Sequence, residues 1–326
     1  MFTESFKYFK RKSPLPDFSS VIDLDSKPST AEVRRIDLSS QDIIEHFPGL
    51  EPAKKWLCFA LSSSGIIVIR NPFTLQGKRY WISRCVQDYP RHPNINNLNP
   101  HLFPNDVLKD WWCALQKCSD PDEVRRMSIS MRWSTLGYHH DWDSKKYAEE
   151  KHGTTLSAHT DHSEPNRTAP LFSISFGQTA IFLIGGKTKE VTPLAIYLRS
   201  GDVLVMSGES RLFYHAVPRV MKARDEPWNN LVPTTTAKTL HPPSCKKPKI
   251  GPEFVTEKNA FGIDTLLYQK VADESYWEPF KKYLDFSRIN INVRQVLNKD
   301  QTCLPTLESL ETIVDGDKEI LSNCAR

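Results

Sequence analysis

Between Leu171 and Val220 the chain is cut into short runs: LFSISFG, TAIFLIGG, LAIYLRSGDVLVMSG and FYHAVPRV. Each is rich in β-branched and aromatic residues and is punctuated by Gly, Pro or Ser. Such runs read as strands, and their succession fits a jelly-roll or similar antiparallel barrel. Phe172, Phe176, Phe182 and Leu183 are its expected core. A further run lies near the C-terminal end, where Arg288-Ile289-Asn290-Ile291-Asn292-Val293-Arg294 alternates without a break. On a strand, one face would carry Ile289, Ile291 and Val293, and the other Arg288, Asn290, Asn292 and Arg294.

The rest of the chain is mixed. Phe2, Phe6 and Phe9 recur at helical spacing beside Lys7, Lys10, Arg11 and Lys12, which predicts a short basic amphipathic helix docked on the body of the protein, followed by a linker. A helix is expected around Ala53–Leu61, a buried strand over Gly65–Arg70, and helices over Lys78–Asp88 and Asp106–Lys117, with an Asn/Pro-rich ordered loop between the last two. The Pro/Lys-rich stretch VPTTTAKTLHPPSCKKPK has no apolar period and reads as an inserted loop, with KKPK a candidate import patch. The organisation expected is α+β: residues 1–40 a basic helix and linker, 41–148 a helical and recognition region, 149–300 a barrel with an insert over 220–256, and 301–326 an acidic tail.

With 39% hydrophobic and 25% charged residues in 326, the chain can bury a core. No apolar run approaches membrane-spanning length, and the first residues lack the apolar stretch of a secretory signal. Seven cysteines without a CxxC pair read as reduced thiols in an intracellular protein. The net charge of +4 is mild, but basic residues come in small groups such as Arg34-Arg35, Lys145-Lys146 and Lys281-Lys282. These fit either a phosphate-facing stripe or ordinary solvated charge.

Three clusters carry chemistry. In His159-Thr160-Asp161 the first and third side chains of a strand point the same way. His215, several strands later, adds a second imidazole. Two histidines and a carboxylate on neighbouring strands make a facial triad with open positions, suited to non-haem Fe(II) and O₂; HxD alone also occurs by chance, with both side chains simply facing water. The third cluster is the polar face of the last strand. Inside a barrel, two arginines bracketing two amides would grip a dicarboxylate through guanidinium forks.

Taken together, HTD, the distal His215 and RINxNxR resemble the AlkB family of Fe(II)/2-oxoglutarate dioxygenases. MRWSTLGYHHDWDSKKY, SFGQTAIFLIGG, SGDVLVMSG, SRLFYHAVPRV and RININVRQVL are similar to its eukaryotic homologue-one branch. The resemblance implies a double-stranded β-helix with Fe(II) on His159, Asp161 and His215 as the catalytic centre, and O₂ and 2-oxoglutarate as cosubstrates. It places Arg288 on the distal carboxylate, with Asn290, Asn292 and Arg294 supporting the cosubstrate. It further implies oxidative demethylation of a base in tRNA or unpaired DNA, with 1-methyladenosine and 6-methyladenine as candidates and formaldehyde, succinate and CO₂ as products. Trp133, Tyr138, His140, Trp142, Lys145, Lys146 and Tyr147 would then offer stacking faces and cations to nucleic acid. A monomer in the nucleus, mitochondrion or cytoplasm is expected, with no membrane partner.

Asn292 stands where the general family pattern has Thr, which keeps hydrogen-bonding capacity, and one further departure is serious. The strand that carries an Asn-x-Tyr pair before HxD has no counterpart between Tyr147 and Leu156. Two other readings therefore stand beside the demethylase: a nucleic-acid-binding protein with impaired turnover, and a protein hydroxylase or demethylase.

Overall fold

The computed structural model describes residues 1–26, 32–38, 47–61, 65–136, 139–141, 146–148, 159–161, 164, 166–229 and 260–301. In the N-terminal part these form α1 (Phe2–Lys10), β1 (Val33–Ile36), β2 (Leu57–Leu61), β3 (Ile66–Arg70) and α2 (Leu75–Ser83), which runs into a π turn at Arg84–Asp88. Next come β4 (Ile95–Asn96), α3 (Asn105–Lys109), α4 (Trp111–Lys117), α5 (Pro121–Ser130), β5 (Ser134–Thr135), β6 (His139–Asp141) and β7 (Lys146–Ala148). The C-terminal part contains β8 (Leu171–Gly177), β9 (Thr179–Ile184), β10 (Leu194–Leu198), β11 (Val203–Met206), β12 (His215–Met221), α6 (Thr265–Lys270), α7 (Glu274–Leu284) and β13 (Arg288–Val293).

Two sheets face each other. The larger has the order β1-β2-β3-β11-β8-β13, and the smaller β10-β9-β12. Their facing sides bury Leu61, Val68, Leu171, Leu204 and Met206 against Phe182, Ile184, Ile196 and Leu198. The opposite side of the larger sheet presents Phe176, Val203 and Val205 to a helical layer of α2, α4 and α7, where Ile82, Trp111, Trp112, Trp277 and Phe280 are buried. Strand alternation explains this division, because successive residues of β8 and β11 serve the two cores in turn. The mixed helical and antiparallel architecture is that of a jelly-roll, as the strand pattern predicted.

The helices start where local chemistry satisfies their free N–H groups. Thr74 caps α2 by accepting from the Gly77 amide, Asp110 caps α4 through Cys113, and Asp273 caps α7 through Ser275 and Tyr276. α5 begins at Pro121 behind an Asp120 cap. The predicted basic helix is α1, and it docks. Phe2 and Phe9 are buried against Ile181, Leu183 and Ala216 on the outer side of the smaller sheet, and Arg219 of β12 donates to the Phe9 carbonyl at 2.7 Å.

Three expectations need correction. Ala53–Leu61 is a 3₁₀ turn at Ala53–Lys55 followed by strand β2, whose pairing with β1 and β3 overrides the helical spacing. Asp106–Lys117 is two helices, broken at Asp110 where the backbone leaves the helical region to cap α4. Phe172 is 39% exposed: it lies near the start of β8, opposite Val293 at the end of β13, which is itself exposed. Strands β1, β2 and β3, from before residue 148, extend the sheet that holds β8, β11 and β13. Strand β12 also runs through Met221, inside the stretch expected as an insert. The remaining insert from 230 to 259, with KKPK, and the tail from 302 onward lie outside the described residues.

One close approach ties the helical layer to the loop before it. A Cβ on Gly77 of α2 would lie 1.9 Å from the carbonyl oxygen of Gly49, whose φ of +87° itself favours glycine. Gly77→Ala should therefore destabilise the protein by about 1–3 kcal/mol, although alanine is the better helix former by about 1 kcal/mol. Urea unfolding measures this, and a raised midpoint would contradict the packing described.

Candidate metal and cosubstrate site

The smaller sheet builds one half of the site. His215 opens β12, and its backbone exchanges two hydrogen bonds with His159, at 3.1 and 3.3 Å, so the two histidines lie directly opposite each other. Their rings are 4.5 Å apart. Asp161 follows two residues after His159 and is buried. Its Oδ1 lies 3.6 Å from His159 Nε2, and its Oδ2 3.5 Å from His215 Nε2. The ligand atoms of all three residues fall within 4.8 Å of one another. Two ligands each about 2.1 Å from one ion stand roughly 3.0–3.5 Å apart, so only a small contraction would place these atoms around a metal.

Electrostatics prepare the same three atoms. His215 Nδ1 faces the Phe213 carbonyl at 3.0 Å. Donation there directs the Nε2 lone pair towards Asp161. Burial, with His159 acting in the same sense, lowers the His215 pKa to about 4 against the pull of Asp161, so the imidazole is neutral and able to ligate. Burial works to raise the Asp161 pKa, but Arg294, His215, His159 and Arg211 outweigh it and keep the group an anion. Asp161 Oδ2 is buried without a hydrogen-bond partner among the described residues. An unpartnered carboxylate oxygen between two imidazoles fits a divalent ion.

The larger sheet supplies the other half. β13 pairs with β8 so that Arg288, Asn290 and Asn292 stand opposite Gly177, Ser175 and Ser173. A chain of side-chain bonds runs along this face. Arg288 donates to Ser175 Oγ at 2.9 Å and to Asn290 Oδ1 at 2.8 Å, Ser173 donates to the same oxygen at 3.1 Å, and Asn290 donates to Asn292 at 2.9 Å. No carboxylate lies against Arg288 among the described residues, its Nε is buried and unpartnered, and burial lowers its pKa to about 10. It remains a cation at neutral pH with part of its fork unused, which fits an incoming carboxylate.

Arg294 behaves differently from the other polar residues of the run. It lies just past β13, its Nη2 donates to Asp161 Oδ1 at 2.8 Å and its Nε stands 3.4 Å from Glu164 Oε1, both on the metal side. Spacing arguments passed over four residues that complete the site. Ser173 and Ser175 are hidden in an apolar-looking strand. Glu164 and Arg211 are almost fully buried charges packed behind Asp161. The acid three positions after Asp161 and the arginine four before His215 were the available signals.

Of the proposed nucleic-acid contacts, Trp133 is half-buried beside β5, where its backbone N–H donates to Asn97 Oδ1 at 3.0 Å. β6 and β7 form a hairpin that pairs His140 with Tyr147 and Asp141 with Lys146; only its backbone is described. Tyr138, Trp142 and Lys145 lie outside the described residues, as does the stretch from 149 to 158 where the Asn-x-Tyr strand was expected.

The titration of His215 has a consequence for stability. Because the folded-state value lies below the ordinary 6.5, stability is complete above pH 6.5 and declines as pH falls towards about 4, while the unfolded chain takes up the proton first. Metal-free protein should lose on the order of a few kcal/mol across that window. His215→Ala should flatten this part of the profile in urea titrations at stepped pH. An unchanged slope in the variant would mean that His215 is not held neutral.

Known proteins agree with the geometry. Residues 151–294 match the 2OG-Fe(II) oxygenase superfamily. The chain is 30% identical to the nucleic acid dioxygenase ALKBH1 of Mus musculus over 92% of this chain and 85% of that protein. It is 25% identical to the DNA N(6)-methyladenine demethylase ALKBH1A of Arabidopsis thaliana, over 91% and 93% respectively. A shorter stretch, 30% of this chain and 44% of the relative, is 34% identical to the tRNA demethylase abh1 of Schizosaccharomyces pombe. On these grounds the chain belongs to the AlkB family of 2OG-Fe(II) oxygenases, in the branch that contains ALKBH1.

Proposed function

We propose that the protein is an Fe(II)- and 2-oxoglutarate-dependent demethylase of methylated bases in nucleic acid, acting on 1-methyladenosine in tRNA, 6-methyladenine in unpaired DNA, or both. The observation that carries this reading is the convergence of His159, Asp161 and His215 on one point, with the Arg288 ladder on the sheet that faces them. The activities for which the relatives are named, on DNA and on tRNA, support the substrate class.

With iron and 2-oxoglutarate bound, O₂ would supply the oxidising power, 2-oxoglutarate being oxidised to succinate and CO₂ while an N-methyl C–H becomes a hydroxymethyl group that is lost as formaldehyde. His159, Asp161 and His215 would hold the iron, and the single carboxylate among them would lower the net positive charge of the centre. Arg288 would orient the distal carboxylate of the cosubstrate, its own position fixed by Ser175 and Asn290. Phe182 packs its ring 5.8 Å from that of His215, and the apolar core behind it excludes water from that side. A base must leave its stack to reach such a centre. The β6–β7 pair, which precedes His159 in the chain, is the segment we assign to that contact, on the strength of its aromatic and cationic residues.

One observation favours a second reading, a nucleic-acid-binding protein of impaired turnover. Among the described residues β13 is the last strand of its sheet, and Asn290 and Asn292 are exposed on the cosubstrate face. The two readings separate on succinate formation by purified protein with Fe(II) and ascorbate, with and without tRNA containing 1-methyladenosine. RNA-stimulated succinate matched by formaldehyde establishes the demethylase, and no succinate from iron-loaded protein establishes the alternative. Arg288→Ala should raise the 2-oxoglutarate requirement about 10- to 100-fold, as expected for loss of a charged hydrogen bond of about 1.5–3 kcal/mol, with Arg288→Lys in between. An unchanged requirement would remove Arg288 from the cosubstrate site.

A further inference from the structure

Behind Asp161 sits a buried ionic cluster of which neither Glu164, Arg211 nor Arg294 is among the three candidate ligands. Glu164 is 1% exposed, and so is Arg211; Arg294 is half-buried. Arg211 donates from Nη1 to the Asp161 main-chain carbonyl at 2.6 Å and from Nε to the Ala169 carbonyl at 3.2 Å, and its Nη2 stands 3.1 Å from Glu164 Oε2. Arg294 holds Asp161 Oδ1 at 2.8 Å through Nη2, while its Nε stands 3.4 Å from Glu164 Oε1. Each oxygen of Glu164 thus faces a different guanidinium. One of those guanidiniums fixes the backbone of Asp161, and the other fixes its side chain.

Two features make this more than a stabilising ion pair. Burying such a cluster costs about as much solvation as its attraction returns, so apolar side chains of similar volume would serve stability equally well. Its geometric effect is specific. With Oδ1 taken by Arg294, Asp161 keeps only Oδ2 free, and that oxygen is buried with no hydrogen-bond partner among the described residues. An aspartate held in this way ligates through one oxygen, and the position a second oxygen would occupy stays open for cosubstrate or O₂.

We propose that Glu164 is a positioning residue of the metal centre: by holding Arg211 and Arg294 together it fixes Asp161 as a ligand through Oδ2 alone. This rests on the reading of His159, Asp161 and His215 as metal ligands. Partners that orient a ligating carboxylate typically contribute 10- to 100-fold to metal affinity.

The test is Co(II) binding to the full-length protein without cosubstrate, followed by calorimetry and by the visible spectrum of the bound ion, alongside the melting temperature of the metal-free protein. Glu164→Gln should weaken Co(II) binding about 10- to 100-fold and shift the cobalt spectrum, as Asp161 is released to bind through both oxygens. Glu164→Asp should recover part of both. A purely structural role would lower the melting temperature and leave the affinity and spectrum of the folded protein as in wild type; that result overturns the proposal. Should Glu164→Gln fail to fold, Glu164→Asp decides alone, with weakened binding and a shifted spectrum expected and wild-type behaviour contradicting it. His215→Ala separates the two levels of the argument. Loss of Co(II) there supports the triad whatever Glu164 does, and retention would show that the triad itself is misassigned.

Discussion

One buried negative charge, the Asp161 carboxylate, organises the open end of this barrel. His159 and His215 approach it from the smaller sheet, Arg294 reaches it from the end of β13, and Arg211 grips its backbone. A carboxylate in that position is tolerable only because cations and polarisable rings surround it. The same surroundings leave one of its oxygens without a hydrogen-bond partner among the described residues. That unmet valence is the structural basis for a metal at this point.

Asp161 is reached by two sheets, and the fold is what brings them together. Residues of β8 alternate between the apolar layer under the helices and the face opposite the smaller sheet. Ser173 and Ser175, on the latter face, meet Asn290 and Arg288 across the β8–β13 ladder. Apolar packing of Leu171, Phe182, Leu204 and Met206 then holds the sheets together directly beside the polar end. The cosubstrate ladder and the metal triad are therefore separate constructions, each anchored in its own sheet and joined by a common core.

Much of this was legible in the sequence. Strand boundaries from Leu171 to Met206, the period-two face of Arg288–Val293 and the HxD…His spacing follow from alternation and residue chemistry, and the structure places them as expected. The misreadings have physical causes. Leu57–Leu61 carries no strong strand alternation and becomes a strand because β1 and β3 flank it. Glu164 and Arg211 look like ordinary surface charges in a linear chain, and only tertiary burial reveals that they face each other. Arg294 belongs to the alternating run by spacing, yet the strand ends one residue earlier and its guanidinium turns to Asp161.

The most direct test of the account is anaerobic absorption spectroscopy of Fe(II)-loaded protein titrated with 2-oxoglutarate. Chelation of Fe(II) by the 2-oxo acid gives a visible charge-transfer band. The account predicts that the band appears and saturates in the wild-type protein, needs far more 2-oxoglutarate in Arg288→Ala, and is absent in His215→Ala. Iron bound at full occupancy with no band at any 2-oxoglutarate concentration would contradict it.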